Sequence, residues 1–271
     1  MRNRVAVVTG GSSGLGEAAA KRFAGDGFDI AILDVDRTGG ERVTREIETM
    51  SGSCRFYSCD VSDASAVERT AHAVSEDLGT VEVLVTSAAL QPNPECILEM
   101  NMPAHERMWK VNYFGTIHAC QSFSRLMIPQ KRGAIVTLGS IHSRMPLPLP
   151  AYNPGKVAIE RLTQLLAVEL GRFNIRVNCV GPTHVMTPPL LAQIKSGDRD
   201  EAKIMEPHAL PYLPEPEDVA EAIAFLASEK ARAITGIFLP VDSGILAGDS
   251  FVTYAGGIPW KKKLQAVSEG I

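Results

Sequence analysis

Long apolar runs are missing from this chain. No stretch approaches the roughly eighteen consecutive apolar residues of a membrane span, so no membrane partner is expected. A signal-peptide layout is missing too, because Met-Arg-Asn-Arg leads straight into an apolar strand with no small-residue cleavage site after it. There is no basic excess. The 27 Lys and Arg against 31 Asp and Glu leave a formal charge of −4, which offers nothing to a nucleic-acid backbone. The five cysteines (Cys54, Cys59, Cys96, Cys120, Cys179) are odd in number and contain no C-x-x-C pair. They read as reduced thiols of a cytoplasmic protein rather than a disulfide framework. The six histidines stand at no ligand-like spacing from them, so no metal site is expected.

What is present suits one large α/β domain with a sizeable core: 271 residues, 45% hydrophobic and 21% charged. Short apolar runs alternate with helical patterns from the start. Strands are expected at Val5 to Val8, Phe28 to Leu33, Phe56-Tyr57, Val81 to Val85, Ala134 to Leu138, Ile175 to Val180 and Ile237 to Val241. Helices are expected after the first strand (through Ala18, Ala19, Ala20 and Phe23), at Thr38 to Met50 and at Ala64 to Leu78. Continuous apolar strands separated by helices imply parallel pairing through right-handed crossovers, buried on both faces. The fold class is therefore α/β: a single-domain, Rossmann-type, doubly wound parallel sheet of about seven strands with helices on both faces. Residues 186 to 216 carry six prolines and cannot form one regular helix. Their position suits a lid on the domain of residues 1 to 247. The tail, 248 to 271, carries Phe251, Tyr254 and Trp260 ahead of Lys261 to Lys263. Its aromatics favour docking over a disordered basic end.

Two motifs carry the chemistry. Thr9 to Gly16 reads Thr-Gly-Gly-Ser-Ser-Gly-Leu-Gly, between the first strand and the first helix. Gly10, Gly14 and Gly16 let the backbone turn sharply and approach a pyrophosphate, which the free amides at the helix start then face. Ser12, Ser13 and Leu15 belong to the same turn. Asp34 follows the second strand, 18 residues after Gly16, where a carboxylate accepts ribose hydroxyls and repels a 2′-phosphate. Asp36 adds a second negative charge, and Arg37 nearby is expected to be contested by the two carboxylates. No Lys or Arg sits in the glycine loop. These features point to NAD as the cofactor. The second motif is Tyr152-Asn153-Pro154-Gly155-Lys156, which puts a phenol and an ammonium four residues apart on one helix face. A free phenol, with a pKa of about 10, is a poor base at neutral pH, and a neighbouring ammonium or a helix N-terminus favours its phenolate.

In this order, about 140 residues apart and with Ser140 between them, the motifs resemble the short-chain dehydrogenase/reductase family. The resemblance runs from residue 4 to about 244. T-G-x-x-x-G-x-G is that family's form of the glycine turn. It implies a tetrad of Asn112, Ser140, Tyr152 and Lys156. The serine would hold the substrate oxygen, and the asparagine would kink its helix and hold a water on the proton path to the lysine. It also implies adenine contacts from Asp60 and Val61. Ser87, Ala88 and Ala89 stand where the family has Asn-Ala-Gly, which removes an amide that usually ties strands together. Pro182, Val185 and Thr187 match the nicotinamide loop, with Thr183 where glycine is usual. Pro154 within the catalytic motif requires the helix to start within about one turn of it, or to bend there. Relatives usually form tetramers, so a homotetramer is expected, with helices at 103 to 128 and 153 to 171 making a four-helix interface.

The substrate, an alcohol or its carbonyl, is expected to meet Leu90 and Gln91, Ile141 to Met145, Thr183 and His184, and the lid. His142 is a candidate two residues past Ser140, although a loop histidine without a role is the simpler account. Arg144 could pair with a substrate carboxylate or phosphate, although a solvated arginine is the simpler account. Two other classes stay open. The departures at Ala89, Pro154 and Thr183 suit a catalytically weak nucleotide-sensing or scaffold protein, which would bind NADH without turnover. A methyltransferase would use a similar glycine turn and strand-end acid, but it leaves Ser140, Tyr152 and Lys156 unexplained.

Overall fold

A computed structural model describes residues 4–50, 52–92 and 94–252, without the side chains of 249–252. From the N-terminus, β1 (Arg4–Thr9) leads to α1 (Gly14–Gly25), β2 (Asp29–Asp34), α2 (Arg37–Thr49), β3 (Ser53–Ser58), α3 (Ala64–Asp77) and β4 (Thr80–Thr86). Next, α4 (Met102–Trp109) passes through one π-helical stretch, Lys110–Phe114, into α5 (Gly115–Met127). The chain continues as β5 (Gly133–Leu138), α6 (Tyr152–Gly171) and β6 (Ile175–Pro182). Two short helices, α7 (Pro188–Ser196) and α8 (Glu201–Met205), precede α9 (Pro216–Ala227), β7 (Phe238–Val241) and α10 (Ile245–Val252).

All seven strands pair in parallel, in the order β3-β2-β1-β4-β5-β6-β7. Successive residues of a strand face opposite sides. Val5, Val7, Ala31 and Leu33 therefore join Val67, Phe123 and Ala167 from α3, α5 and α6 on one face. Ala6, Val8, Ile30 and Ile32 join Phe23, Val43 and Ile223 from α1, α2 and α9 on the other. That double burial is why the strands read as unbroken apolar runs. Phe23 and Phe123, both fully buried, each stabilise the core by about 1.5–3 kcal/mol. The strand order reverses between β1 and β4, which opens a crevice at their carboxyl ends.

The helix expected over 103 to 128 is interrupted rather than continuous, since the π-helical stretch around Asn112 inserts one wider turn. The proline-rich 186 to 216 stretch resolves into α7 and α8 with irregular chain between them. Its start and end are pinned together where Met186 N donates to Pro214 O (3.0 Å). Asp200 caps α8 by accepting from the amides of Ala202 and Lys203. Helix α10 runs across residue 248, where the sequence suggests the tail begins. Beyond Val252 the tail, with Tyr254, Trp260 and Lys261 to Lys263, lies outside the described residues. No described helix is long and apolar enough to cross a membrane, and all five cysteines are unpaired.

Candidate active site

The turn between β1 and α1 is sterically committed to glycine. A Cβ on Gly10, which has φ +70°, would stand 2.6 Å from the Ala88 backbone. One on Gly16 would stand 2.1 Å from the Gly10 carbonyl oxygen. Gly14, at φ +54°, differs in having no atom within 4 Å of where its Cβ would be. Helix α1 starts there, and its first internal bond is Glu17 N to Ser13 O (3.1 Å). The amides of Gly14, Leu15 and Gly16 thus have no acceptor within the helix, and the Ser13 side chain does not cap it. Free amides, the positive end of the helix dipole and open space over Gly14 fit a pyrophosphate group.

Asp34, at the end of β2, braces this turn. Its carboxylate accepts from Ser12 N (3.1 Å) and Asp36 N (3.0 Å), while Ser12 Oγ donates to Asp36 O (3.2 Å). Asp36 caps α2 by accepting from Gly39 N (3.1 Å). Arg37 is not contested by these two carboxylates. It reaches Glu41 (3.4 Å) and lies over the Phe56 ring (5.8 Å), because it starts α2 and points along it. A cation the sequence did not flag, Arg42, donates to Ser12 O (3.2 Å) and pairs with Glu17 (2.6 Å) and Glu46 (2.9 Å). Glu46 is readable one helical turn away, but Glu17 lies on another helix. Burial would raise the Glu17 carboxyl, yet hydrogen bonds from Arg42 and Lys21 hold it below the usual carboxylate range.

Asp60 accepts from the Ser62 amide (2.9 Å) and hydroxyl (2.7 Å), and buried Val61 offers its carbonyl to His118 Nδ1 (2.9 Å). The missing asparagine at position 87 does not leave β4 untied. Ser87 N donates to Thr9 O (3.1 Å) and Ala88 N to Thr9 Oγ1 (3.3 Å). The Ser87 hydroxyl makes no hydrogen bond among the described residues, and Ala89 is exposed. Farther on, Asn112 clasps the peptide groups of Leu90, accepting from its N–H (2.7 Å) and donating to its carbonyl (3.3 Å).

The proposed tetrad residues surround one end of the crevice. Asn112 is buried in the π-helical stretch. Ser140 is buried just past β5, and its Oγ accepts from His142 N (3.2 Å). Tyr152 is the first residue of α6, with Lys156 Nζ 5.3 Å from its ring centre. The lysine is 4% exposed and donates to Leu138 O (2.7 Å), which fixes its head at the end of β5. Ser143 Oγ donates to Lys156 O (2.9 Å) and binds the Ser140 turn to α6. Pro154 occupies the third position of α6, where an amide would have no helical acceptor anyway, so the helix needs no bend. The preceding turn supports this start, with Tyr152 N and Asn153 N both donating to Leu149 O (3.1 and 3.0 Å).

Pro182 ends β6 against Val241, and Thr183 N donates to Val241 O (3.3 Å). The Thr183 hydroxyl meets His208 Nε2 at 3.0 Å, a contact across 25 residues that no local pattern announces. Val185 is buried in the core and Thr187 precedes α7, donating N–H to Val185 O (2.6 Å). His142 lies edge-on to Tyr152, ring centres 6.1 Å apart, and its Nδ1 is 3.4 Å from Met145 O. His184 follows β6, half-buried. Burial, helped by nearby His142, Arg199 and His208, pushes it down to about 4. Burial also pushes His142 down, against the pull of the Met145 carbonyl, and lowers His208. Gln91 is exposed. Arg144 is not free for a substrate, because it pairs with Glu160 (2.8 Å) and covers the Phe238 ring (4.5 Å). Between the Ser140 turn and α6, Leu149 is buried and Leu147 exposed.

A glycine turn beneath an open helix start, with a phenol and buried ammonium at the same strand ends, defines a nicotinamide-binding oxidoreductase of the doubly wound class. A family model described as Enoyl-(Acyl carrier protein) reductase matches residues 10–246. The chain is 36% identical over 254 residues to (+)-borneol dehydrogenase 2 of Salvia officinalis, covering 89% of this chain and 88% of that protein. Among solved structures it resembles ElxO with NADP bound (TM-score 0.86, 28% identity, 91% and 100% of the two chains). It also resembles NAD+-bound xylitol dehydrogenase (TM-score 0.83, 26% identity, 89% and 98%). The chain belongs to the short-chain dehydrogenase/reductase family.

Proposed function

We propose that this protein is an NAD(H)-dependent oxidoreductase that interconverts a secondary alcohol and its ketone, with Tyr152 as general acid/base. The observation that carries this is Lys156 Nζ standing 5.3 Å from the Tyr152 ring centre at the start of α6, a helix that Ser143 ties to the Ser140 turn. In alcohol oxidation Tyr152 takes the hydroxyl proton while Ser140 Oγ holds the same oxygen, and in ketone reduction the proton returns. Lys156, anchored on Leu138 O, holds positive charge against the phenolate. Asn112 is a positioning residue that sets the backbone at Leu90. A bound nicotinamide supplies the hydride acceptor or donor. Gly10, Ser12, Ser13, Gly14, Leu15 and Gly16 would hold its pyrophosphate, with Asp34 on the adenosine ribose and Asp60 and Val61 at the adenine. Ser87, Ala88, Ala89, Pro182, Val185 and Thr187 would line the nicotinamide half.

The relatives' printed names support alcohol chemistry, since one is a borneol and one a xylitol dehydrogenase. They divide on the cofactor, with NADP in one structure and NAD+ in the other. Asp34 and the ion-paired state of Arg42 support NAD here. Residues 1 to 247 would act as one domain with 186 to 216 as its lid. Exposed Phe114, Val157, Leu165 and Val168 along the α5 and α6 region support a homotetramer, and five unpaired cysteines support a cytoplasmic setting. The test is a panel of secondary alcohols and polyols followed by NADH absorbance, with Tyr152→Phe as control. NAD-dependent turnover that falls at least about a hundredfold in the variant is the expected result. Tight NADH binding with no turnover across the panel would refute it.

A further inference from the structure

Three successive residues of the Ser140 turn meet three successive turns of α6. His142 lies edge-on to Tyr152, ring centres 6.1 Å apart. Ser143 Oγ donates to Lys156 O (2.9 Å), and Arg144 Nη2 donates to Glu160 Oε1 (2.8 Å). Residues 152, 156 and 160 are spaced four apart, so they stack along one stripe of the helix. That stripe is about 12 Å long, because an α-helix rises about 1.5 Å per residue. Two residues of chain span at most about 7 Å. The outermost rung therefore closes only because arginine is long. It is anchored at both ends. The Glu160 side chain is 16% exposed, and a carboxylate so withdrawn from water needs a cation. Among the described residues Arg144 is the one paired with it. The Arg144 guanidinium also covers the Phe238 ring of β7 (4.5 Å). That ring packs so closely on the residue before Ser140 that a Cβ on Gly139 would meet it at 3.2 Å.

We propose that Arg144 and Glu160 are positioning residues for the reaction: their ion pair fixes the register of the Ser140 turn on α6, and so the place of Ser140 Oγ relative to Tyr152. The inference rests on the oxidoreductase reading of Tyr152 and Ser140. The turn held by these rungs is the one that presents the serine, since His142 N donates to Ser140 Oγ (3.2 Å) and leaves the hydroxyl proton free for a substrate oxygen. The two inner rungs are one ring contact and one hydrogen bond, a single helical turn apart, and the turn can pivot about them once the outer rung is gone. Lys156 is tied separately, through Nζ to Leu138 O (2.7 Å), and the glycine turn lies on other elements. Breaking the pair should therefore displace Ser140 and slow the chemical step, while dinucleotide binding is spared.

The test uses Arg144→Met, which keeps length without charge, Arg144→Lys, which keeps the charge, Glu160→Gln, and the double variant Arg144→Met/Glu160→Gln. Each is checked for wild-type circular dichroism and assayed with NAD on whichever of cyclohexanol, 2-butanol and sorbitol wild type oxidises fastest. A misplacement of about 1 Å costs about a hundredfold, so Arg144→Met and Glu160→Gln should each lower kcat at least about tenfold. KM and the NADH dissociation constant should stay within about threefold of wild type. Arg144→Lys should recover part of the loss, and the double variant should be no worse than the worse single variant, as two members of one pair require. Unchanged kcat in both single variants, a loss that falls on KM or NADH binding instead, or additive losses in the double variant overturns the proposal. If Arg144→Met does not fold, Glu160→Gln and Arg144→Lys decide by the same criteria. If wild type binds NADH but oxidises none of the three alcohols, the oxidoreductase reading fails instead, and hydrogen exchange decides the register separately. Exchange at residues 139 to 146 that is at least about threefold faster in Glu160→Gln, with α6 unchanged, supports the pair as the holder of this turn, and equal exchange overturns it.

Discussion

Replacing Asp34 by Asn should change which dinucleotide binds, by an amount the local geometry sets. Both carboxylate oxygens accept backbone amides, from Ser12 (3.1 Å) and Asp36 (3.0 Å). Asparagine keeps the shape but turns one acceptor into a donor facing an N–H, a loss of about 1 kcal/mol in fold stability. For NADH the change costs more, because ribose hydroxyls donating to a carboxylate make charge-assisted bonds of about 1.5–3 kcal/mol each. Affinity should fall roughly ten- to a hundredfold. NADPH moves the other way. Its 2′-phosphate, of charge about −1.5 to −2, at some 5 Å from the carboxylate would meet a repulsion of about 1–2 kcal/mol in a water-like dielectric. Removing it should improve NADPH affinity by about tenfold. The ratio of the two affinities should therefore shift by about 10²–10³. Titration of protein fluorescence with each reduced dinucleotide reads this without any substrate. Wild type binding NADPH as tightly as NADH, or a variant whose ratio moves less than about threefold, would refute the assignment.

Gly16→Ala, whose Cβ would stand 2.1 Å from the Gly10 carbonyl oxygen, should cost at least about 1–3 kcal/mol and abolish NADH binding. Gly155→Ala, with nothing within 4 Å of its Cβ, should stabilise by about 0.5–1 kcal/mol and raise Tm by about 1–4 °C in calorimetry. Arg176 binds the carbonyls of Leu226, Ala227 and Ser228 at the end of α9, so Arg176→Lys should lower the urea midpoint by the equivalent of about 1–3 kcal/mol. His184 falls from about 6.5 when unfolded to about 4 when folded. The unfolded chain then binds more protons in that window, and stability, complete above it, is lost as pH falls. Wild type should lose about 1–3 kcal/mol more than His184→Gln between about pH 7 and pH 4.5, read by urea unfolding. Equal losses in the two proteins would show that the imidazole is not held neutral.

The sheet was legible because its strands are buried on both faces and leave unbroken apolar runs. The two motifs were legible because each is local, a turn of eight residues and one helical turn. What escaped depends on pairings between distant segments. The Thr183–His208 contact, the Arg42–Glu17 pair and the Thr9 hydroxyl that takes over from a missing asparagine all join residues with no shared periodicity. Pro154 looked disruptive in sequence because the first residue of α6 is set by Leu149, whose carbonyl receives two amides from beyond it. The wider turn at Lys110–Phe114 left no mark in residue type apart from the mid-helix Asn112.

That asparagine grips the peptide groups of residue 90 and leaves its side chain alone. The location of residue 90, which the sequence reading expects in the pocket wall, is therefore dictated by a helical segment on the face opposite α1, while the chemistry it presents is carried by a side chain the grip never touches. A different residue at position 90 would present a new surface in the same place, so exchanging it should alter which substrates are accepted while the backbone behind it keeps its position.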